Sequence, residues 1–212
     1  MLSQNLIYLI SLVTAFVGVI MELAFAQLLT IIFGGTNFLY SLTIGIFTLT
    51  LGLGSIISDK VNPNIRLKLL INFQYILIAI VMASPLVLIT ISYKNIIMSF
   101  LPIFFIGLLT GFELPILISM SRKNENIVIA FDYFGMFIAS VAFGTLLLPY
   151  LGIFKLIYGT TMLSFLVTII LYLVKKDISI RDSCILFFLI ICDIYALAHN
   201  AEIEEYARKV FI

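Results

Sequence analysis

Apolar residues fill this chain in long blocks instead of alternating with polar ones along its length. Six blocks reach membrane-spanning length: 6–33, 38–57, 67–91, 96–120, 127–148 and 153–174. Each holds the roughly 20 residues that an α-helix needs to cross about 30 Å of hydrocarbon. A seventh block, 183–198, would rise only about 24 Å as a helix. It also contains Asp193, so it is marginal as a span. Gly34-Gly35 after the first block suits a helix C-cap, and Pro149 and Gly152 close the fifth. The pattern predicts an all-α, polytopic integral membrane helix bundle over residues 1–200, with an amphipathic C-terminal helix at 201–212. In that tail Ile203, Tyr206, Ala207, Val210 and Phe211 recur on one helical face. Glu204–Arg208 and Glu205–Lys209 make favourable i, i+4 pairs on another. The tail reads as a connector to a further domain or as a helix lying on the membrane surface.

Composition agrees with the pattern. Of 212 residues, 63% are hydrophobic and 11% charged, against about 25% charged in a soluble domain. The mean hydropathy is +1.23. The lipid bilayer is therefore the first expected partner. A net charge of +1 gives no basis for expecting nucleic acid. Lys60, Arg66, Lys68, Arg122, Lys123, Lys175, Lys176 and Arg181 follow the second, fourth and sixth blocks, whereas the opposite loops carry only Lys94 and Lys155. Basic loops stay in the cytoplasm, so the expectation is a multi-pass cell-membrane protein with its N-terminus cytoplasmic. The bias is stronger if the seventh block does not span, because Arg208 and Lys209 then stay inside. Residues 1–20 hold no Lys or Arg, which argues against a cleaved leader ending at Ala24-Phe25-Ala26. Cys184 and Cys192 are eight residues apart, about 12 Å of helical rise, too far for a disulfide.

Three carboxylates change the picture: Glu22, Glu113 and Asp132 lie inside apolar blocks that contain no Lys or Arg. An acid at the bilayer centre costs roughly 2.5–3.5 kcal/mol on insertion scales and is a functional-site hypothesis by default. Without a base, each is protonated, hydrogen-bonded, or facing a cation. Three readings stay open: hydrogen-bonded ties between helices, a site for a cation or polar substrate, and a proton relay. Gly18 and Glu22 share a helix face, with Gln27 five residues on; Tyr133 follows Asp132. Pro115, two residues after Glu113, removes a backbone donor and predicts a broken helix. Gly107-xxx-Gly111, Gly135-xxx-Ala139 and Ser140-xxx-Gly144 are small-xxx-small faces suited to close helix packing, and Gly45, Gly52 and Gly54 mark the second block. Asp193 and His199, six apart, lack a partner at ligand spacing and are read as having no metal or acid–base role. There is no HExxH, no GxSxG and no nucleotide-binding glycine fingerprint. No catalytic residue, metal site or cofactor is expected.

Two resemblances arise at these residues. Gly18-Val-Ile-Met-Glu22 with its aliphatic run to Phe33-Gly34, then Leu51-Gly-Leu-Gly54-Ser55, resembles the opening of the membrane domain of multipass spermidine synthases (polyamine aminopropyltransferases). Gly111-Phe-Glu113-Leu-Pro115, Asp132-Tyr-Phe-Gly135 and Leu148-Pro149-Tyr-Leu-Gly152 are similar to later motifs of that domain, in the same order. The resemblance implies a membrane module without the catalytic domain, which anchors or partners a cytosolic aminopropyltransferase and handles cationic polyamines. Separately, Gly54-Ser-Ile-Ile-Ser-Asp59-Lys60, then Arg66 and Lys68, is similar to the cytoplasmic loop of a six-helix half of a major facilitator transporter. The competing expectations are a stand-alone transporter of another cation or metabolite, working as a homodimer of six-helix halves, and a structural or assembly membrane protein.

Overall fold

A computed structural model describes residues 3–35, 37–58, 60–62, 65–91, 96–121, 124–174, 180–202 and 205. The described residues are helical throughout, with short turns between: α1 (Gln4–Ile32), α2 (Asn37–Ser58), α3 (Arg66–Ile91), α4 (Ile96–Ser99), α5 (Leu101–Met120), α6 (Glu125–Ala142), α7 (Leu148–Val174) and α8 (Ile180–Ala198). A π-helical turn, Phe143–Leu147, joins α6 to α7. Five helical stretches are long and apolar enough to cross a membrane: Gln4–Ile32, Asn37–Ser58, Arg66–Leu88, Ile96–Met120 and Glu125–Val174. α8, the marginal seventh block, is not among them. Of the amphipathic tail only residues 201, 202 and 205 are described, so its proposed faces lie outside the described residues.

The helix boundaries follow local chemistry. Ser3 caps α1, its hydroxyl accepting from the Leu6 amide at 3.4 Å and satisfying one of the orphan donors of the first turn. At the other end Gly34 and Gly35 take φ of +95° and +73°, and the Gly35 amide donates back to the Thr30 carbonyl at 2.5 Å. That six-to-one bond is the C-terminal closure the paired glycines predict.

Glu125–Val174 is 50 residues long, and a straight helix of that length would rise about 75 Å, far more than one bilayer. The chain is interrupted at Gly152, with φ 72° and ψ 171°, a region essentially reserved for glycine. The break reverses the helix. α6 runs parallel to α1: Val128 near its start packs with Ile7 and Ile10, whereas Ala139 near its end and Phe143 just after it pack in the cluster of Val17, Ile20 and Met21. α7 runs antiparallel to α1: Thr160 meets Met21, while Phe165 and Leu171 pack near Ile7 and Ile10. Gly152→Ala is expected to cost about 1–3 kcal/mol, because alanine cannot adopt this backbone without strain. Thermal denaturation in detergent would read the loss.

α1 occupies the middle of the bundle, packed by α2, α5, α6 and α7. α2 and α5 make the tightest pair. A Cβ at Gly54 would run into the Leu108 carbonyl oxygen, and one at Gly111 into that of Leu51. Gly107 faces Thr50 and Phe47, and Gly135 faces the Leu12 carbonyl. These positions fulfil the close-packing expectation. Gly45, Gly52 and Gly144 do not, since nothing lies within 4 Å of a Cβ there. One further expectation is corrected: α5 continues through Pro115 without a break. A helix tolerates proline when neighbouring groups re-satisfy the freed carbonyl.

Candidate functional site

Glu22, Glu113 and Asp132 line a single cavity of about 260 Å³. Its walls come from α1, α2, α5 and α6. On α1, Thr14, Gly18 and Glu22 fall at i, i+4 and i+8, so one helical stripe faces the cavity. Gly18 lets α5 approach: a Cβ there would meet Thr110 Cγ2 at 3.0 Å. α5 contributes Glu113 from the segment that ends in Pro115, and α6 contributes Asp132. Between the acids the lining is apolar (Val19, Phe47, Leu51, Leu114 and Met136), with Thr48 and Ser55 adding hydroxyls from α2.

Glu113 is 3% exposed and Asp132 is 4% exposed, while Glu22 is half-buried. Every charged residue buried in the described part of the chain is an acid: Glu113, Asp132 and Asp193. Glu113 has a firm partner, since Gln74 Nε2 on α3 donates to its Oε1 at 2.6 Å. Asp132 has Ser11 beside it, yet its Oδ2 is buried with no hydrogen-bond partner. An unmade bond of this kind costs about 1–3 kcal/mol, more for a charged group. Among the described residues no three His, Cys, Asp or Glu side chains group tightly enough to hold a metal ion. The acids share a cavity but are spread around it.

Not every residue singled out in the sequence reaches this cavity. Gln27 is half-buried on α1 and outside the lining. Tyr133 is 64% exposed and points away. Gly54 belongs to the α2–α5 packing face. Lys60 is exposed after the end of α2, and Asp59 lies outside the described residues. Gln74 is a further polar residue at the site. It interrupts the third apolar block, and its polarity there was the available signal. Asp193, expected to have no metal or acid–base role, is 0% exposed and accepts from the Thr161 hydroxyl at 2.6 Å. His199, by contrast, stacks on Tyr195 one turn earlier.

Comparison with known proteins gives a consistent direction. No family model matches the chain, and no solved structure matches it. A polyamine aminopropyltransferase of Oceanobacillus iheyensis is 31% identical over 194 residues, covering 83% of this chain and 37% of that protein. A polyamine aminopropyltransferase of Leptospira interrogans is 26% identical over 162 residues, covering 72% of this chain and 32% of that protein. Neither match supports the major facilitator likeness. The chain spans about a third of the length of these curated relatives, and over that third it is similar to polyamine aminopropyltransferases.

Proposed function

We propose that these residues form a six-span membrane module of a polyamine-synthase-like protein, and that the three-acid cavity binds an organic polycation of the polyamine class. The observation that carries this reading is the shape of the charge. Glu22, Glu113 and Asp132 line one cavity with apolar wall between them, and they do not close on a point that would hold a metal ion. A polyamine has the matching form: ammonium groups spaced by methylenes, the first suited to carboxylates and the second to Val19, Leu51 and Met136. The volume, about 260 Å³, lies just under the roughly 300–1,000 Å³ of ordinary small-molecule pockets, which favours a slender ligand. The names of the two relatives support the same ligand class.

Six spans follow from counting Glu125–Val174 as two arms reversed at Gly152. The excess of basic residues in the loops after the second, fourth and sixth blocks supports a cytoplasmic N-terminus, and in this reading the module anchors or partners an aminopropyltransferase on that side. Binding of radiolabelled spermidine and putrescine to the purified chain in nanodiscs tests the ligand. Saturable binding to the wild type is expected, weakened roughly tenfold or more by Asp132→Asn, since a hydrogen bond to a charged group contributes about 1.5–3 kcal/mol. A wild-type protein that binds neither amine overturns the reading.

A further inference from the structure

Glu113 borders a second, much smaller space. A void of about 10 Å³ lies among α1, α3, α5 and α7, and Thr14, Gly18, Thr110 and Glu113 line both it and the larger cavity. That volume is about what one water molecule needs. The void is polar on several sides: Gln74, Glu113, Thr161 and Ser164 all face it. Gln74 is 2% exposed, and its Oε1 is buried with no partner, which gives a water there an unmet acceptor. The hydroxyls keep acceptor lone pairs of their own.

Thr161, on the wall of the void, bonds Asp193, which does not itself line it. Thr161 Oγ1 lies 2.6 Å from the Tyr158 carbonyl oxygen and 2.6 Å from Asp193 Oδ1. One hydroxyl has one proton, so the two contacts describe two states. With Asp193 ionised, Thr161 donates to it. With Asp193 protonated, the acid donates to Thr161, which donates to Tyr158. The Glu113–Gln74 pair switches in the same manner: a neutral Glu113 donates to the amide oxygen, an ionised one accepts from the amide nitrogen. Asp193 Oδ2 has no partner.

We propose that Asp193 is a proton store for the acid cavity, exchanging its proton with Glu113 through this void and the Thr161 hydroxyl. Each step balances. Glu113 gives a proton to water in the void, that water passes another to Thr161 Oγ1, and Thr161 passes its own to Asp193 Oδ1. The net change is a carboxylate at Glu113 and a carboxylic acid at Asp193. The groups facing the two acids allow it. Glu113 meets Gln74 from α3 and feels Asp132 from α6. Asp193 meets Thr161 and feels Tyr158, both from α7. α3 presents Ala79, Met82, Ala83 and Leu86 to the groove beside α8, without a charge among them. From α8 and the residues after it the same groove receives Cys192, Glu202 and His199, the His199 ring being engaged with the Tyr195 carbonyl. A cation arriving in the cavity thus exchanges with a proton kept inside the bundle.

Because Asp193 is 0% exposed, its proton needs a route, and hydrogen–deuterium exchange at its carboxyl reads that route without any ligand. The full chain is held in nanodiscs at a pH acid enough to protonate Asp193, and its carboxyl stretch is assigned by loss in Asp193→Asn. On transfer to heavy water, the band of the wild type and of Thr161→Ser is expected to shift at the same rate. Thr161→Val, which removes the hydroxyl, is expected to slow the shift at least tenfold. So is Ser164→Val, which fills the void without touching Asp193 and serves if the Thr161→Val protein does not fold. Wild-type exchange rates in the valine variants overturn the proposal, since the proton would then leave by another face of α8.

Discussion

Alanine at Gly54 or Gly111 is expected to push α2 away from α5 and to destabilise the protein by roughly 1–3 kcal/mol. The two sites are reciprocal: each glycine admits the backbone carbonyl of the opposite helix, that of Leu108 at Gly54 and that of Leu51 at Gly111. A side chain in the way could rotate, but a carbonyl held in a helix cannot. The methyl group is accommodated only by separating the helices, which loosens a wall of the acid cavity as well, because Leu51 and Gly111 both line it. Gly45 and Gly52, on the same helix as Gly54, are the internal control. A Cβ at either meets nothing within 4 Å, and alanine is the better helix former by about 0.8–1 kcal/mol. Gly52→Ala should therefore leave the denaturation midpoint in detergent unchanged or raise it, while Gly54→Ala, two residues later, lowers it. Equal midpoints for the two variants would contradict the packing described here.

At Glu113 the expected result depends on which atom is kept. Glu113→Gln retains an oxygen to accept from Gln74, whose amide donates at 2.6 Å, so the folded protein should keep its stability to within about 1 kcal/mol. It removes the negative charge, however, and polyamine binding should fall roughly 10- to 100-fold, the equivalent of about 1.5–3 kcal/mol. Glu113→Leu fills similar space but orphans the Gln74 amide nitrogen beside an Oε1 that already lacks a partner. That variant should unfold more readily than the glutamine variant by a further 1–3 kcal/mol or so. Binding isotherms and detergent melts of the two proteins separate the roles. A glutamine variant that binds polyamine like the wild type would remove Glu113 from the ligand site and leave it a helix tie.

The helices and their ends were legible from local chemistry. Blocks of about 20 apolar residues must become helices in lipid, where every backbone polar group has to be satisfied within its own segment. Gly34-Gly35 closes α1 and Gly152 breaks the long helical stretch, because only glycine takes those dihedrals cheaply. Pro115 does not break α5, because packed neighbours can re-satisfy a carbonyl that proline frees. Glu22, Glu113 and Asp132 announced themselves through cost alone, as acids without bases in apolar blocks.

Which face of each helix turns inward was not legible, and the reason is physical. Lipid tails are as apolar as leucine, so a membrane helix carries apolar residues on both its buried and its lipid-facing sides. The periodicity that orients a helix in a soluble protein is then weak. Hence Tyr133, next to Asp132 in sequence, points outward, while Gln74 on a different helix reaches Glu113. Hence also Gly54 and Gly111 carry a contact that Gly45 and Gly52 do not. The sequence by itself determined that this chain is a set of membrane-length helices holding costly acids. Tertiary structure alone decided that three of those acids share one cavity, and that Asp193, on a helix too marginal to stand out, bonds Thr161 on the wall of a water-sized void. Hydrophobicity is summed along a chain, whereas convergence depends on how helices rotate against one another.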